Sequence, residues 1–547
     1  MAPPPDPAAA ALRPRASLAG IRGVKAEAEA PPRRAAPPLP ARSASAEPYR
    51  AYQPRPFTKA ERAQVTVLYG GLHWRAERVI QGVFENLGYN ARPLPPATLA
   101  DLLKGREVAD IGQCCPTSFT AGNLANFLAA EAARIGREAV AERYVYMTAG
   151  ACGSCRFGQY HQSYELALRN GGLEAFRMFL MGQGGVDQGA TPGGGLELNA
   201  PLLLGAVWSL MATDVLQDLE YRVRPYEKNP GDTDRAVQAA VELLYNAMKS
   251  RPPTGGGARS ALWHLGSSHF TRVMQQVRAL FEGIELDRLR VKPVVKITGE
   301  FYLQTVEGEP NHYIHRWLER EGAEVYPAAV TVWFDYLMRL AVQRNEDRAG
   351  LRAGARRKAW AVGAGQRLLR WSHERLRRAA GGAARELPLQ HELRELAAPW
   401  FHSRLTGGEG DMLVGKALWA FKHHKAHMVC ELSPYSCMPN TMSIGAMAAV
   451  QDRHPELLYA PIEIKGDSEV HALSRCQMIL TEAKQRARRE YAQVLERIGR
   501  SEEEIRAAAA KRPELARAAT PIPHHGVAGS AANFALHVAK LEGWVAA

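Results

Sequence analysis

The chain has 547 residues, 46% of them hydrophobic and 23% charged, a composition that suits a globular protein with two or three well-formed cores. Its formal net charge is +13, but no nucleic-acid-binding motif accompanies that charge, so nucleic acid is not the expected partner. No apolar run approaches the length of a membrane span, and seven cysteines without a secretory signal read as intracellular free thiols or metal ligands.

Residues 1–57 are rich in Ala, Pro and Arg and almost free of large aliphatic side chains. Such a segment buries too little surface to offset its ordering entropy, and it reads as a disordered tail. Gln64 to Gly71 predicts a buried strand ending in a Gly turn, and Trp74 to Leu87 predicts a helix, with Val79, Ile80, Val83 and Phe84 on one face. A helix over Asn123 to Val140 and a strand over Tyr144 to Thr148 follow. Gly182 to Gly195 predicts a loop; it lacks dinucleotide-fingerprint spacing, and no Walker-type Gly-Lys-Ser/Thr occurs anywhere, so nucleotide hydrolysis is unsupported. Helical periodicity runs from Leu204 to Met248, and Arg251 to Ala258 reads as a linker.

A second strand–helix–strand unit opens with Val294 to Tyr302, has its helix over Asn311 to Glu321, and resumes as strand at Ala323. Much of the positive charge lies between Arg339 and Arg385, where Leu368, Leu369, Trp371 and Leu376 alternate with Arg and Lys as in an amphipathic helix with a basic, solvated face. Strands are expected at Met428–Leu432 and Leu457–Ile464, with a long helix from Val470 to Ile498. The fold class is therefore α/β: two Rossmann-like α/β domains with helical insertions, preceded by the tail. The segments are 1–57, 58–250, 251–426 and 427–547.

Three stretches place a thiol beside turn-forming residues: Gln113-Cys114-Cys115-Pro116, Gly150 to Tyr160 with Cys152 and Cys155, and Ser433 to Asn440 with Cys437. Each falls at or near a strand end, where open α/β sheets gather ligands. Thiolates are soft donors suited to iron–sulfur clusters or zinc, and Gly or Pro beside them lets the backbone bend around an inorganic core. Cys152-x-x-Cys155 alone also fits a redox dithiol or half a zinc site. Cys430 and Cys476 read as core residues. His423 and His427 stand one helical turn apart, a spacing able to clasp a metal, although a solvated face is the simpler reading. Glu300, at a strand end, is a weaker candidate ligand or acid/base.

The order of these segments resembles the C-terminal region of 2-hydroxyacyl-CoA dehydratase activase-related proteins. The resemblance is carried by Cys114, Pro116 and Gly122; by Cys155-Arg156-Phe157-Gly158-Gln159-Tyr160; by Gly299 to Tyr302 with Asn311 beyond; and by Pro434, Tyr435, Cys437, Met438 and Pro439. It spans residues 65–500. The chain departs from it in lacking an ATP-binding module ahead of this region, in Gln113 where relatives have Glu, and in the additional thiols Cys115 and Cys152. The resemblance implies a 4Fe–4S cluster on Cys114, Cys155 and Cys437, with Cys115, Cys152 and Glu300 as weaker candidates. Arg156 would supply positive charge, and Gln159 or Tyr160 hydrogen bonds to the sulfurs. It implies low-potential electron transfer to a CoA-thioester-type substrate or to a partner subunit, with a separate ATP-binding activator. A cytoplasmic protein is expected, without a membrane or nucleic-acid partner, and as a dimer or heteromer. The alternative is a non-catalytic partner or regulatory subunit that keeps the scaffold without a cluster.

Overall fold

Two sheets carry the architecture in a computed structural model that describes residues 55–110, 112–150, 155–182, 185–187, 194–253, 255–405 and 408–545. The first contains β1 (Thr66–Tyr69), β2 (Asn90–Pro93), β3 (Tyr144–Ala149), β4 (Arg177–Gly182) and β5 (Gly185–Asp187), in the order β2-β1-β3-β4-β5. All its pairings are parallel except the β4–β5 hairpin. The second contains β6 (Val294–Gly299), β7 (Glu324–Tyr326), β8 (Met428–Pro434) and β9 (Tyr459–Ile464), all parallel, in the order β7-β6-β8-β9. The fold is mixed α/β, as expected from the alternation of strand and helix signals. Most of the sequence called tail, residues 1–54, lies outside the described residues, and so does Cys152. Phe57, at the end of the expected tail, is only 1% exposed and packs against Phe179.

Parallel strands need crossover helices, and helices on both faces bury the strands between them. Every residue of β6 and β8 is accordingly buried, including two charged ones. Lys296 meets this by donating to the Pro327 carbonyl at 2.8 Å with its ammonium 3.6 Å from the centre of the Tyr326 ring. Glu431 accepts from Asn440, Ser443 and Tyr459 at 2.6–2.7 Å. Cys430 and Cys476, on β8 and on the helix Glu469–Ile498, are both fully buried and touch each other, in keeping with core roles.

The helix Ala200–Val223 joins the two halves. It is long and apolar enough to cross a membrane, contrary to the reading that no run comes near that length, but 78% of its apolar window is buried inside the fold. It is a core helix that also carries Asp214, Asp218 and Glu220 to internal partners.

Several local expectations change. The helix expected over Asn123–Val140 begins at Cys115 and ends at Ile135, because Pro116 in its first turn presets the helical dihedral and costs no hydrogen bond there. The Gly-rich segment expected as a loop contributes the edge strand β5. Glu300 does not extend β6; it caps a short helix, Phe301–Thr305. In the basic helix Ala355–Ala379, Leu369 and Leu376 are buried, while Leu368 and Trp371 are exposed. Its Arg370, Arg375 and Arg377 turn toward backbone carbonyls of Leu387 and Pro388, of Leu265 and Ser267, and of Gly382 and Ala384. The expected solvated face is thus partly a structural one.

Candidate metal centre

The thiol segments take their places because each begins a helix. Cys114 is the cap of the 21-residue helix Cys115–Ile135, and Cys437 caps the 16-residue helix Met438–Arg453; each helix has Pro at its second position. Cys155 caps the 3-10 turn Arg156–Gln159, which runs into the helix Tyr160–Asn170. Two carboxylates repeat the pattern: Glu300 caps Phe301–Thr305 after β6, and Glu409 caps the 13-residue helix Gly410–Lys422. Caps leave backbone N–H groups and the positive end of the helix dipole directed at whatever lies ahead of them.

These groups share one environment. Cys155 lies beside Gly408: a Cβ on Gly408 would sit 4.0 Å from the Cys155 Cβ and 2.5 Å from Cγ of Pro439, two residues after Cys437. Glu300 is set next to β8 by a backbone bond from its N–H to the Leu432 carbonyl at 2.9 Å. The Cys114 sulfur is 3.1 Å from the Tyr160 hydroxyl and 3.2 Å from that of Thr117. The Cys437 thiol contacts the Asn440 amide oxygen at 3.2 Å, and Asn440 in turn donates to Glu431 at 2.7 Å.

Burial pushes every acidic group in the cluster toward its neutral form. The Cys155 thiol is pushed up to about 12, chiefly by burial and then by the charges of Glu409, Glu300 and Cys114. Burial and the same three neighbours hold the Cys437 thiol still further above the usual range. Cys114 is raised, and Glu300 is raised to about 7, both mainly by burial. Glu409 is raised too, although Lys416 opposes the shift. Lys416 itself is lowered to about 8 by burial. A cluster with this many buried acids and one nearby ammonium is poor in positive charge, and a bound cationic group would oppose each upward shift of the acids.

The residues singled out by sequence fall as follows. Cys114, Cys155 and Cys437 are brought into one electrostatic neighbourhood with Glu300. Cys115 packs in the core under the second sheet, 3.4 Å from where a Gly466 Cβ would stand; burial, and after it the charges of Cys114 and Glu300, raise its thiol to about 12. Arg156 donates to the Gly112 carbonyl and so ties the second thiol segment to the first. Tyr160 is buried against Cys114, whereas Gln159 is exposed. His423 and His427 do not share a helix: His423 ends Gly410–Lys422, and His424 has a left-handed backbone, φ 49°. They pair with Glu392 and Glu490 respectively, which removes the metal clasp that their spacing allowed.

Sequence reading missed Glu409, Lys416, Asn440 and Glu431. Asn440 was visible as the third residue after Cys437, a spacing that returns a side chain to the cap. Glu409 carries no local signal, since only the tertiary fold brings its helix end to the thiols.

Among the described residues no group of three or more His, Cys, Asp or Glu side chains closes on a single ion. An iron–sulfur cluster makes a different demand, because its thiolates bind separate irons around an inorganic core. The donor set fits that demand in kind: three thiols on three segments, ahead of helix N-termini, among buried acids and little positive charge. The chain has no significant match among protein-family models, curated proteins or solved structures.

Proposed function

We propose that this chain is an iron–sulfur protein resembling the 2-hydroxyacyl-CoA dehydratase and activase components. Cys114, Cys155 and Cys437 would hold a 4Fe–4S cluster between the carboxyl ends of two Rossmann-like α/β domains. The observation that carries the reading is the meeting of these three thiols, each at the start of a different helix, in one buried environment. When bound, such a cluster supplies one electron at a time at low potential.

The protein's own contributions follow from its residues. With Cys114 as a thiolate, the Tyr160 and Thr117 hydroxyls beside its sulfur would donate to it and stabilise its negative charge. The dipoles of the helices capped by Cys114, Cys437 and Glu409 do the same for the pocket as a whole. Glu300, raised to about 7, can hold or release a proton at its carboxyl near neutral pH, and Lys416, lowered to about 8, can do so at its ammonium. Electron delivery goes to a CoA-thioester-type substrate or a partner subunit, with ATP hydrolysis on a separate activator chain, in the cytoplasm.

The test is anaerobic purification or reconstitution, with iron and sulfide analysis and electron paramagnetic resonance of the reduced protein. About four irons and four sulfides per chain are expected. Cys155→Ser and Cys437→Ser should lose or alter the signal, and Cys476→Ser should keep it. A colourless, iron-free wild-type protein after reconstitution would leave only the non-catalytic, regulatory reading.

A further inference from the structure

A cavity of about 590 Å³ opens at the end of the second sheet away from the thiols, beside Val294 and Glu324 at the amino ends of β6 and β7. Its cations are Arg222, Arg288, Arg377, Arg385 and Lys425, and its acids are Glu324, Glu386 and Glu392. The acids are already engaged. Glu324 accepts from Arg385, from Tyr226 at 2.7 Å and from Ser530 at 2.5 Å. Glu386 pairs with Arg377 at 3.2 Å and Glu392 with His423 at 2.5 Å. Arg385 additionally pairs with Asp218, which lies outside this cavity wall, at 2.6 Å.

Arg222, Arg288 and Lys425 remain without a carboxylate in ion-pair range among the described residues. The Arg222 guanidinium is held by the Ala383 carbonyl. Arg288 is clamped by three carbonyls: Nε donates to Leu515 at 2.8 Å, and Nη2 donates to Arg517 at 2.6 Å and Thr520 at 3.0 Å. Its Nη1 makes no hydrogen bond among the described residues. Among the described residues the Lys425 ammonium has no hydrogen-bond partner and lies 6.0 Å from the centre of the Trp419 ring. Burial and mutual repulsion among these cations push the Arg222 and Arg288 guanidinium groups below their usual range. Clustered, fixed cations that repel one another in a partly desolvated cavity cost stability unless an anion joins them.

We propose that this cavity binds a small organic phosphate, with its phosphate or diphosphate group on Arg222, Arg288 and Lys425 and its carbon portion against Trp419, Tyr326 and Leu286. A compact anion of two or three charges matches three unpaired cations, and guanidinium forks suit phosphate oxygens. The wall mixes these cations with aromatic and aliphatic surface, as a ligand with both parts requires. The site is separate from the thiols, at the other end of the sheet, and stands whether or not they hold a cluster.

The test is isothermal titration calorimetry of the full chain with pyrophosphate, inorganic phosphate and citrate at constant ionic strength. Pyrophosphate should bind one per chain, more tightly than phosphate or citrate. Lys425→Gln, which removes no internal hydrogen bond, and Arg222→Gln should each weaken it about tenfold or more, as loss of a charge-assisted contact does. Cys155→Ser should bind as the wild type does. The proposal is overturned if pyrophosphate gives no saturable binding, if citrate binds more tightly, if Lys425→Gln with an unchanged circular dichroism spectrum binds as the wild type does, or if Cys155→Ser abolishes binding.

Discussion

Gly299 ends β6 with φ +121°, and a Cβ there would lie 2.2 Å from the Leu432 carbonyl oxygen and 2.5 Å from the Leu432 nitrogen. The two backbones approach this closely because the Glu300 N–H bonds to that carbonyl, which places the Glu300 cap beside the strand leading to Cys437. Gly299→Ala therefore has three costs: backbone strain of about 1–3 kcal/mol, overpacking of about 1–3 kcal/mol, and weakening of one hydrogen bond worth about 1 kcal/mol. The sum is about 5 kcal/mol on central values. Gly322→Ala is the matched control, with φ +86° and nothing within 4 Å of the added methyl, so it carries only strain of about 1 kcal/mol. Calorimetric unfolding of the two purified variants should lower the Gly299→Ala midpoint by roughly five times the shift of Gly322→Ala. Equal shifts would refute the close approach of β6 to β8, and with it the placement of Glu300.

Glu300→Gln tests the acid in the pocket. Its carboxyl rises from 4.5 in the unfolded chain to about 7 in the fold, so its contribution to stability is fully present below 4.5 and is lost as pH climbs through 7. The difference in unfolding free energy between metal-free variant and wild type should change by about 3 kcal/mol between pH 4.5 and 8 in favour of the variant; parallel pH profiles would contradict the burial argument. Tyr160→Phe removes the hydroxyl 3.1 Å from the Cys114 sulfur, so in the iron-loaded protein a redox titration should give a more negative midpoint potential, and an unchanged one would exclude Tyr160 from the site. Arg75, fully buried between Glu220 and Glu307, should cost about 3–5 kcal/mol when changed to Met, because two carboxylates lose their cation. Arg75→Met/Glu220→Gln should recover part of that loss in the same denaturation assay, and no recovery would mean the pair does not act as a unit.

The central strands were legible because their apolar runs are dictated by burial on both faces: Val294–Thr298, Met428–Leu432 and Tyr144–Thr148 all lie in strands. Helix starts were harder. Pro116 and Pro439 are N-terminal signals, yet periodicity placed the first of these helices eight residues late, since Pro-Thr-Ser-Phe-Thr carries no apolar stripe. The thiols were legible as residue types beside turns. Glu409 and Lys416 were not, because a helix end reaches a site through packing over hundreds of residues rather than through neighbours in sequence. The same limit applies to His423 and His427, whose spacing suggested a helical turn that the left-handed residue His424 breaks.

The strand orders add an argument that local reading could not supply. β2-β1-β3-β4 and β7-β6-β8-β9 are the same order, second-first-third-fourth within each sheet. Cys155 follows the third strand of one and Cys437 the third strand of the other, so the two thiols occupy corresponding positions in the two sheet orders. Cys114 belongs to the core packed against the first sheet, Cys155 follows a strand of that sheet, and Glu300 comes from the second. Neither half holds all three sulfurs. A metal bound by them would therefore draw its affinity from the docking of the two sheets, and would return that free energy as resistance to their separation. Proteolysis of the iron-loaded protein should then be slower than that of the chelated protein at the segments joining the sheets, and equal rates would argue that the thiols do not act together.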